Sequence, residues 1–233
     1  IGNLDIVSLL LSRPEINLNT LSTRDCKEKG KKEEMTALHI ACEKENYEIV
    51  QLLLEHTETN VNIKSVKHSK SKFKESTALI IAIKTENVKT VRLLLSREET
   101  DVNIKEVKRS KDTDEEISPL QIACKKNNLE IVQYLITRST IDINAKCIKR
   151  FKEKYKEMTA LQIAVEKKNT KIVRNLLDHP DTNVNTKSIK KSKEKYKEKT
   201  ALLIATKADE VEIVRLILCR YEIDCNIKYI KQS

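Results

Sequence analysis

The side chains with the most chemical potential in this chain are lysines set among single aromatics. Residues 62–76 read NIKSVKHSKSKFKES, and residues 185–199 read NTKSIKKSKEKYKEK. Ammonium groups at that density attract anions as mobile point charges. An interleaved ring, Phe73 or Tyr196 here and Tyr155 between them, adds a flat surface that a base or an apolar group could pack on. Such a pattern suits docking and not bond making. The other reactive types do not assemble. The four histidines, His39, His56, His68 and His179, are scattered, and no Ser/His/Asp, Cys/His, paired-acid or metal-ligand spacing recurs. With two glycines in 233 residues there is no phosphate-cradling loop. No C-x-x-C pair occurs among Cys26, Cys42, Cys124, Cys147, Cys219 and Cys225, which argues against zinc. We therefore expect no catalytic residue, no metal, no cofactor and no enzyme in this segment.

The elements that must position the lysines come from a repeat. TALHIAC at Thr36 returns as TALIIAI at Thr77, SPLQIAC at Ser118, TALQIAV at Thr159 and TALLIAT at Thr200, each 41 residues on. EIVQLLL at Glu48 keeps the same step, as KTVRLLL, EIVQYLI, KIVRNLL and EIVRLIL, and so does an asparagine at 62, 103, 144, 185 and 226. Three markers on one period predict stacked repeats with one continuous core. Each unit opens on Thr or Ser, whose hydroxyl suits a helix N-cap. Ser118 with Gln121 and Thr159 with Gln162 have capping-box spacing, and Pro119 fits the first helical position. Leu38, Ala41 and Cys42 fall at helical spacing in a short first helix. Ile49, Val50, Leu52, Leu53 and Leu54 make the second helix too widely apolar to stand alone.

TALH at Thr36–His39, the Ala41–Cys42 pair, EIVQLLL at Glu48–Leu54 and the Val61–Asn62 exit resemble the ankyrin repeat family over nearly the whole chain. The resemblance implies an all-α helical solenoid of helix–turn–helix pairs with β-hairpin fingers at right angles. It also implies that His39 has a structural role near the helix start. Two departures stand out. The family period is about 33 residues, and most of the extra length here falls in the fingers. The family glycine between the two helices survives only as Gly2; elsewhere that place holds Glu45, Glu86, Asn127, Lys168 and Asp209. A left-handed residue is expected there, at some cost to any side chain other than glycine.

The expected units are a partial repeat at 1–35, complete repeats at 36–76, 77–117, 118–158 and 159–199, and a repeat with a truncated finger at 200–233. The start at Ile1 and the lack of polar capping units are read as the marks of a piece cut from a longer protein. Ile6, Leu9 and Leu10 at one end, and Leu216 and Ile217 at the other, are then expected on uncovered apolar faces open to end-to-end self-association. No run of about 18 apolar residues suggests a membrane span. The absence of a signal pattern and the scattered cysteines point to an intracellular chain, cytoplasmic or nuclear.

Two forms fit the fingers: a solvated charged loop, or an elongated hairpin. With Ser69–Lys70 at the tip, Val66 lies opposite Phe73, Val107 opposite Asp114, Ile148 opposite Tyr155 and Ile189 opposite Tyr196. Three of the four are favourable β-branched/aromatic pairs, so we expect a hairpin with that register.

Charge separates fingers from helices. The chain carries 45 Lys+Arg against 35 Asp+Glu. The finger stretches hold 29 and 14 of these, a net of +15, and the remainder is net −5. The third complete finger unit, 103–117 with its DTDEE run, breaks the basic trend. The resemblance implies a protein–protein interaction module whose concave face is built from fingers and first helices. Carried over by position, the helix contribution is Glu43, Lys44, Lys84, Thr85, Lys125, Lys126, Glu166, Lys167 and Lys207. The finger contribution is Lys67, Lys72, Phe73, Lys74, Lys149, Arg150, Lys152, Lys154, Tyr155, Lys190, Lys191, Lys193, Lys195 and Tyr196. The expected partner is a protein with an acidic surface. Two alternatives stay open: nucleic-acid or anionic-surface binding through the basic fingers, for which a pI near 9.2 speaks, and a structural spacer in a longer scaffold.

Overall fold

The computed structural model describes residues 4–13, 15–26, 30–227 and 230–232. Gly2 and the tip of the first finger at 27–29 lie outside them. Helix α1 (Leu4–Leu11) stands alone, and five pairs follow: α2 (Ala37–Glu43) with α3 (Tyr47–Glu55), α4 (Ala78–Lys84) with α5 (Val88–Leu95), α6 (Pro119–Lys126) with α7 (Leu129–Ile136), α8 (Ala160–Glu166) with α9 (Thr170–Asp178), and α10 (Ala201–Lys207) with α11 (Val211–Leu218). Every first helix starts one residue after its Thr or Ser. That hydroxyl accepts from the backbone N–H three residues on: His39, Ile80, Gln121, Gln162 and Leu203. The capping box is closed at Ser118 and Thr159, and also at Thr36, where the His39 ring replaces the glutamine.

The turn between paired helices is left-handed at Glu45, Glu86, Asn127, Lys168 and Asp209, with φ of 56°, 59°, 62°, 57° and 55°. The backbone there closes the helix end. Asn46 N–H donates to the Ala41 carbonyl (3.0 Å) and Glu45 N–H to that of Cys42 (3.2 Å), and the next three turns repeat this. Asn46, Asn87, Asn128 and Asn169 then cap the second helix with their side chains, whereas Glu210 supplies no such bond to α11.

The repeat alanines 41, 82, 123, 164 and 205 are all buried, which lets consecutive first helices approach closely. Val50, Leu53, Val91, Leu94, Val132, Leu135, Val173 and Leu176 fill the layer shared with the second helices. The recurrent asparagine ties unit to unit. Asn62 donates to the Glu99 carbonyl (2.7 Å) and accepts from Asp101 N–H (2.9 Å). Asn19, Asn103, Asn144 and Asn185 make the same two bonds to the following unit. No helix among the described residues is long and apolar enough to cross a membrane.

The fingers are ordered hairpins, and they join. β1 (Ser22–Cys26), β2 (Lys31–Met35), β3 (Lys64–Ser69), β4 (Lys72–Thr77), β5 (Glu106–Ser110), β6 (Thr113–Ile117), β7 (Cys147–Phe151), β8 (Lys154–Met158), β9 (Ser188–Ser192), β10 (Lys195–Lys199) and β11 (Ile230–Gln232) form one antiparallel sheet in sequence order. The fold is therefore mixed α and β, not the all-α solenoid expected. The spacings permit it: packed helices lie about 8–10 Å apart, and two strands span about 9.6 Å. Each helix layer thus carries one hairpin in step with the next.

The register also differs from expectation. The tip is Lys70–Ser71, so Val66 faces Glu75 and Phe73 faces His68. Ile148 faces Glu157, Tyr155 faces Arg150, Ile189 faces Glu198 and Tyr196 faces Lys191. Burial at the hairpin base decides this. The observed register pairs Cys147 with Met158 and Ser65 with Ser76, all buried. The expected one would put Lys156 across from Cys147 and Lys74 across from Ser65, burying two ammonium groups.

At the N-terminal end Ile6, Leu9 and Leu10 are exposed as expected (56%, 66% and 44%). At the other end Ile217 is fully buried and Leu216 partly so, because α11 turns Ile213 and Ile217 inward; Val211, Leu218 and Tyr221 are exposed there.

Candidate partner-binding groove

Adjacent residues of a strand point to opposite sheet faces, and the 41-residue period lines like positions into rows across the strands. One row runs Lys67, Lys74, Lys108, Glu115, Lys149, Lys156, Lys190, Lys197, each directly opposite the next. Its side chains turn toward the first helices. Lys67 reaches Glu43 on α2 (2.5 Å), Glu115 reaches Lys125 on α6 (2.9 Å), and Lys156 reaches Glu166 on α8 (2.9 Å). The sheet and the first helices thus wall a groove with a lysine row along one side. Toward the finger tips on the same face lie Lys72, Lys154 and Lys195.

The sequence-predicted set is split by this geometry. Lys67, Lys72, Lys74, Lys149, Lys154, Lys190 and Lys195 share the groove face of the sheet. Across from them stand Glu43, Lys84, Lys125 and Lys167. Lys44 caps the end of α2, Lys207 closes α10, and Lys126 is tied to Glu86 at 3.0 Å. Lys152 and Lys193 sit in the tip turns. Phe73, Arg150, Tyr155, Lys191 and Tyr196 are on the other face, turned away from the first helices. There the rings already have partners. The Arg109 guanidinium lies 5.8 Å from the Phe73 ring and that of Arg150 5.7 Å from Tyr155. The Tyr155 and Tyr196 hydroxyls donate to Glu157 and Glu198. The aromatic strip expected beside the groove lysines is not in the groove.

Charge in the groove is uneven along its length, which sequence reading found only as a sign change in the third complete finger. Glu106, 1% exposed, sits where other units have Ser65, Cys147 and Ser188. Its carboxylate gathers Lys84 (2.8 Å), Lys108 (2.8 Å) and Lys74 (3.4 Å). Burial alone would raise its pKa; the hydrogen bonds from Lys108 and Lys84, with their charges, outweigh burial and hold it at about 2. Lys108 moves the other way: burial lowers its pKa, but the bond to Glu106 raises it on balance. Lys74 is the weak third cation, pushed down by burial and by the charge of Lys84. Glu115 holds Lys108 and Lys125 at 3.2 and 2.9 Å. From β3 to β6 the row is neutralised within the chain.

His39 belongs to the scaffold. Its Nδ1 accepts from the Thr36 backbone N–H (3.2 Å), which leaves the proton on Nε2, 2.9 Å from the Ile63 carbonyl. Burial drives its pKa down to about 4, against the backbone carbonyls that favour the cation. Gln121 and Gln162 make the same bracket, to Ala145 and Thr186. Cys42 and Cys124 are core residues whose thiols burial pushes up to about 12.

Stacked helix pairs, left-handed inter-helix turns and hairpin fingers at one edge define a helical repeat solenoid. A sequence model of ankyrin repeats (three copies) matches residues 1–106, 64–147, 105–188 and 145–229, and the chain belongs to the ankyrin repeat family. Among solved structures it is similar to the ankyrin repeat domain of Bcl-3, described as a unique member of the IkappaB protein family. The two are 23% identical, with a TM-score of 0.60, over 91% of this chain and 77% of that one. No curated protein sequence matches it.

Proposed function

We propose that this chain is a protein-interaction module, without enzymatic activity of its own, that seats a partner with an acidic surface in the groove between the finger sheet and the first helices. The observation that carries this reading is the groove-facing lysine row. Ankyrin repeats generally bind proteins, which agrees with it. Lysines serve such a surface as long-range attractors, raising the rate of encounter. The module is read as intracellular, in keeping with free thiols at Cys42, Cys124, Cys147, Cys219 and Cys225, the last two exposed. The exposed apolar face of α1 supports a second contact, end-to-end stacking on another repeat face.

Binding of single-stranded nucleic acid through the fingers is the weaker reading. It needs rings free to stack beside the lysines; Phe73 and Tyr155 are packed under arginines on the far face, and Phe151, which does lie on the lysine side, has the Lys152 ammonium 5.8 Å from its ring. Capture from cell extract on the immobilised chain, with and without nuclease, tests the choice. A protein that remains bound after nuclease treatment is expected. Loss of all captured material to nuclease would overturn the reading, and capture of nothing would favour a spacer.

A further inference from the structure

The part of the groove face carried by β7–β10 differs from the rest, and the difference points to a small ligand. Lys149, Lys156, Lys190 and Lys197 stand directly opposite one another on four consecutive strands, spaced by about 4.8 Å. Like charges so placed repel and weaken the sheet. In β3–β6 the chain supplies its own counter-charge through Glu33, Glu43, Glu106 and Glu115. In β7–β10 the places of Glu33, Glu106 and Glu115 hold Lys156, Lys197, Cys147 and Ser188; the place of Glu43 is kept as Glu166, which pairs with Lys156 alone of the four. Among the described residues Lys149, Lys154, Lys190, Lys195 and Lys197 have no ion-pair partner. They border a recess of about 710 Å³ that includes Phe151 and the hydroxyl residues Thr113 and Ser192, and no Asp or Glu lines it. A volume of that size is typical of small-ligand sites.

We propose that this recess binds a compact oligophosphate, with Lys149, Lys154, Lys190, Lys195 and Lys197 as its cationic ligands. Several negative charges are needed within a few ångströms to answer five ammonium groups. Linked phosphates supply them, and lysine meets phosphate as a point charge without the paired geometry that arginine gives a carboxylate. Thr113 and Ser192 add neutral donors. Binding would replace cross-strand repulsion by bridging, so the ligand should also stabilise the sheet. The proposal goes beyond protein docking and does not depend on it.

Titration of the whole chain with inorganic tripolyphosphate at low salt tests it, read by calorimetry and by melting temperature against sodium sulfate of equal ionic strength. One tripolyphosphate bound per chain and a melting temperature above the sulfate control are expected. The double variant Lys190→Gln/Lys197→Gln should weaken binding by about tenfold or more, since two charge-assisted contacts are lost. It should itself melt no lower than the parent without ligand, because repulsion is relieved. Lys67→Gln/Lys74→Gln, in the neutralised half, should leave binding unchanged. No heat beyond the sulfate control, equal losses in both double variants, or equally tight binding of an oligo-glutamate peptide of the same charge would each overturn the proposal. Protein capture that fails while tripolyphosphate still binds would count against the docking function alone, and the reverse against this site alone.

Discussion

At the scale of residues, two buried ionisable groups set how the scaffold answers acid. His39 is neutral in the folded chain, with a pKa of about 4 against an ordinary 6.5. The unfolded chain takes up the proton first, so stability falls as pH drops from about 6.5 toward 4, by up to about 3 kcal/mol. Gln121 and Gln162 already do the same bonding without titrating. His39→Gln should therefore fold normally and lose that part of the acid sensitivity; urea melts across pH 4–7 would show a flatter profile than the parent. An unchanged profile would mean that another group controls it. Glu106 behaves as a depressed carboxylate. Its stabilisation is complete above about pH 4.5 and is lost as pH falls through about 2. Glu106→Gln leaves Lys74, Lys84 and Lys108 without their shared anion, and we expect a loss of about 2–3 kcal/mol at neutral pH, less than for a fully buried pair because the lysines can turn to water. A denaturant melt within 0.5 kcal/mol of the parent would show that the cluster adds nothing.

At the scale of elements, the inter-helix turn and the finger behave differently as sequence. The turn was legible, because a left-handed position is a local demand, and Glu45, Glu86, Asn127, Lys168 and Asp209 all satisfy it. Lys168→Gly should relieve about 1 kcal/mol of strain. The ion pair it gives up, to Glu210, is exposed on the Lys168 side and worth little. The melting temperature should rise; a fall would mean that the ion pair matters more than the backbone. The finger was legible as a hairpin but not in its register. Cross-strand preference favours Val66 with Phe73. Desolvation of Lys74 and Lys156 at the base forbids that pairing, and which residues lie against the helices is tertiary information. Asn46, Asn87, Asn128 and Asn169 were missed as caps, although an asparagine just after the left-handed residue was visible in four units. The union of fingers into one sheet was out of reach, since it depends on the helix stack holding hairpins two strand spacings apart.

At the scale of the molecule, the sheet has two chemical faces. The groove face presents lysines, self-neutralised from β3 to β6 and open from β7 to β10. The far face presents Phe73 and Tyr155 under arginines, Tyr196 opposite Lys191, and alternating Glu and β-branched residues. Net charge alone does not distinguish these faces, but a partner seated in the proposed groove would. Association kinetics across a salt series, with a protein captured on the parent chain, separate them most directly. Two quadruple variants from the same fingers carry identical net charge: Lys149, Lys190, Lys195 and Lys197→Glu on the groove face, and Arg150, Lys152, Lys191 and Lys193→Glu on the far face and tips. Both should keep the helical circular dichroism, since no core residue changes. The groove variant should associate at least about tenfold more slowly and lose most of its salt dependence, while the far-face variant stays within about threefold of the parent. Equal slowing in both would make the lysines a matter of overall charge, and no slowing in the groove variant would remove the finger face from the contact surface.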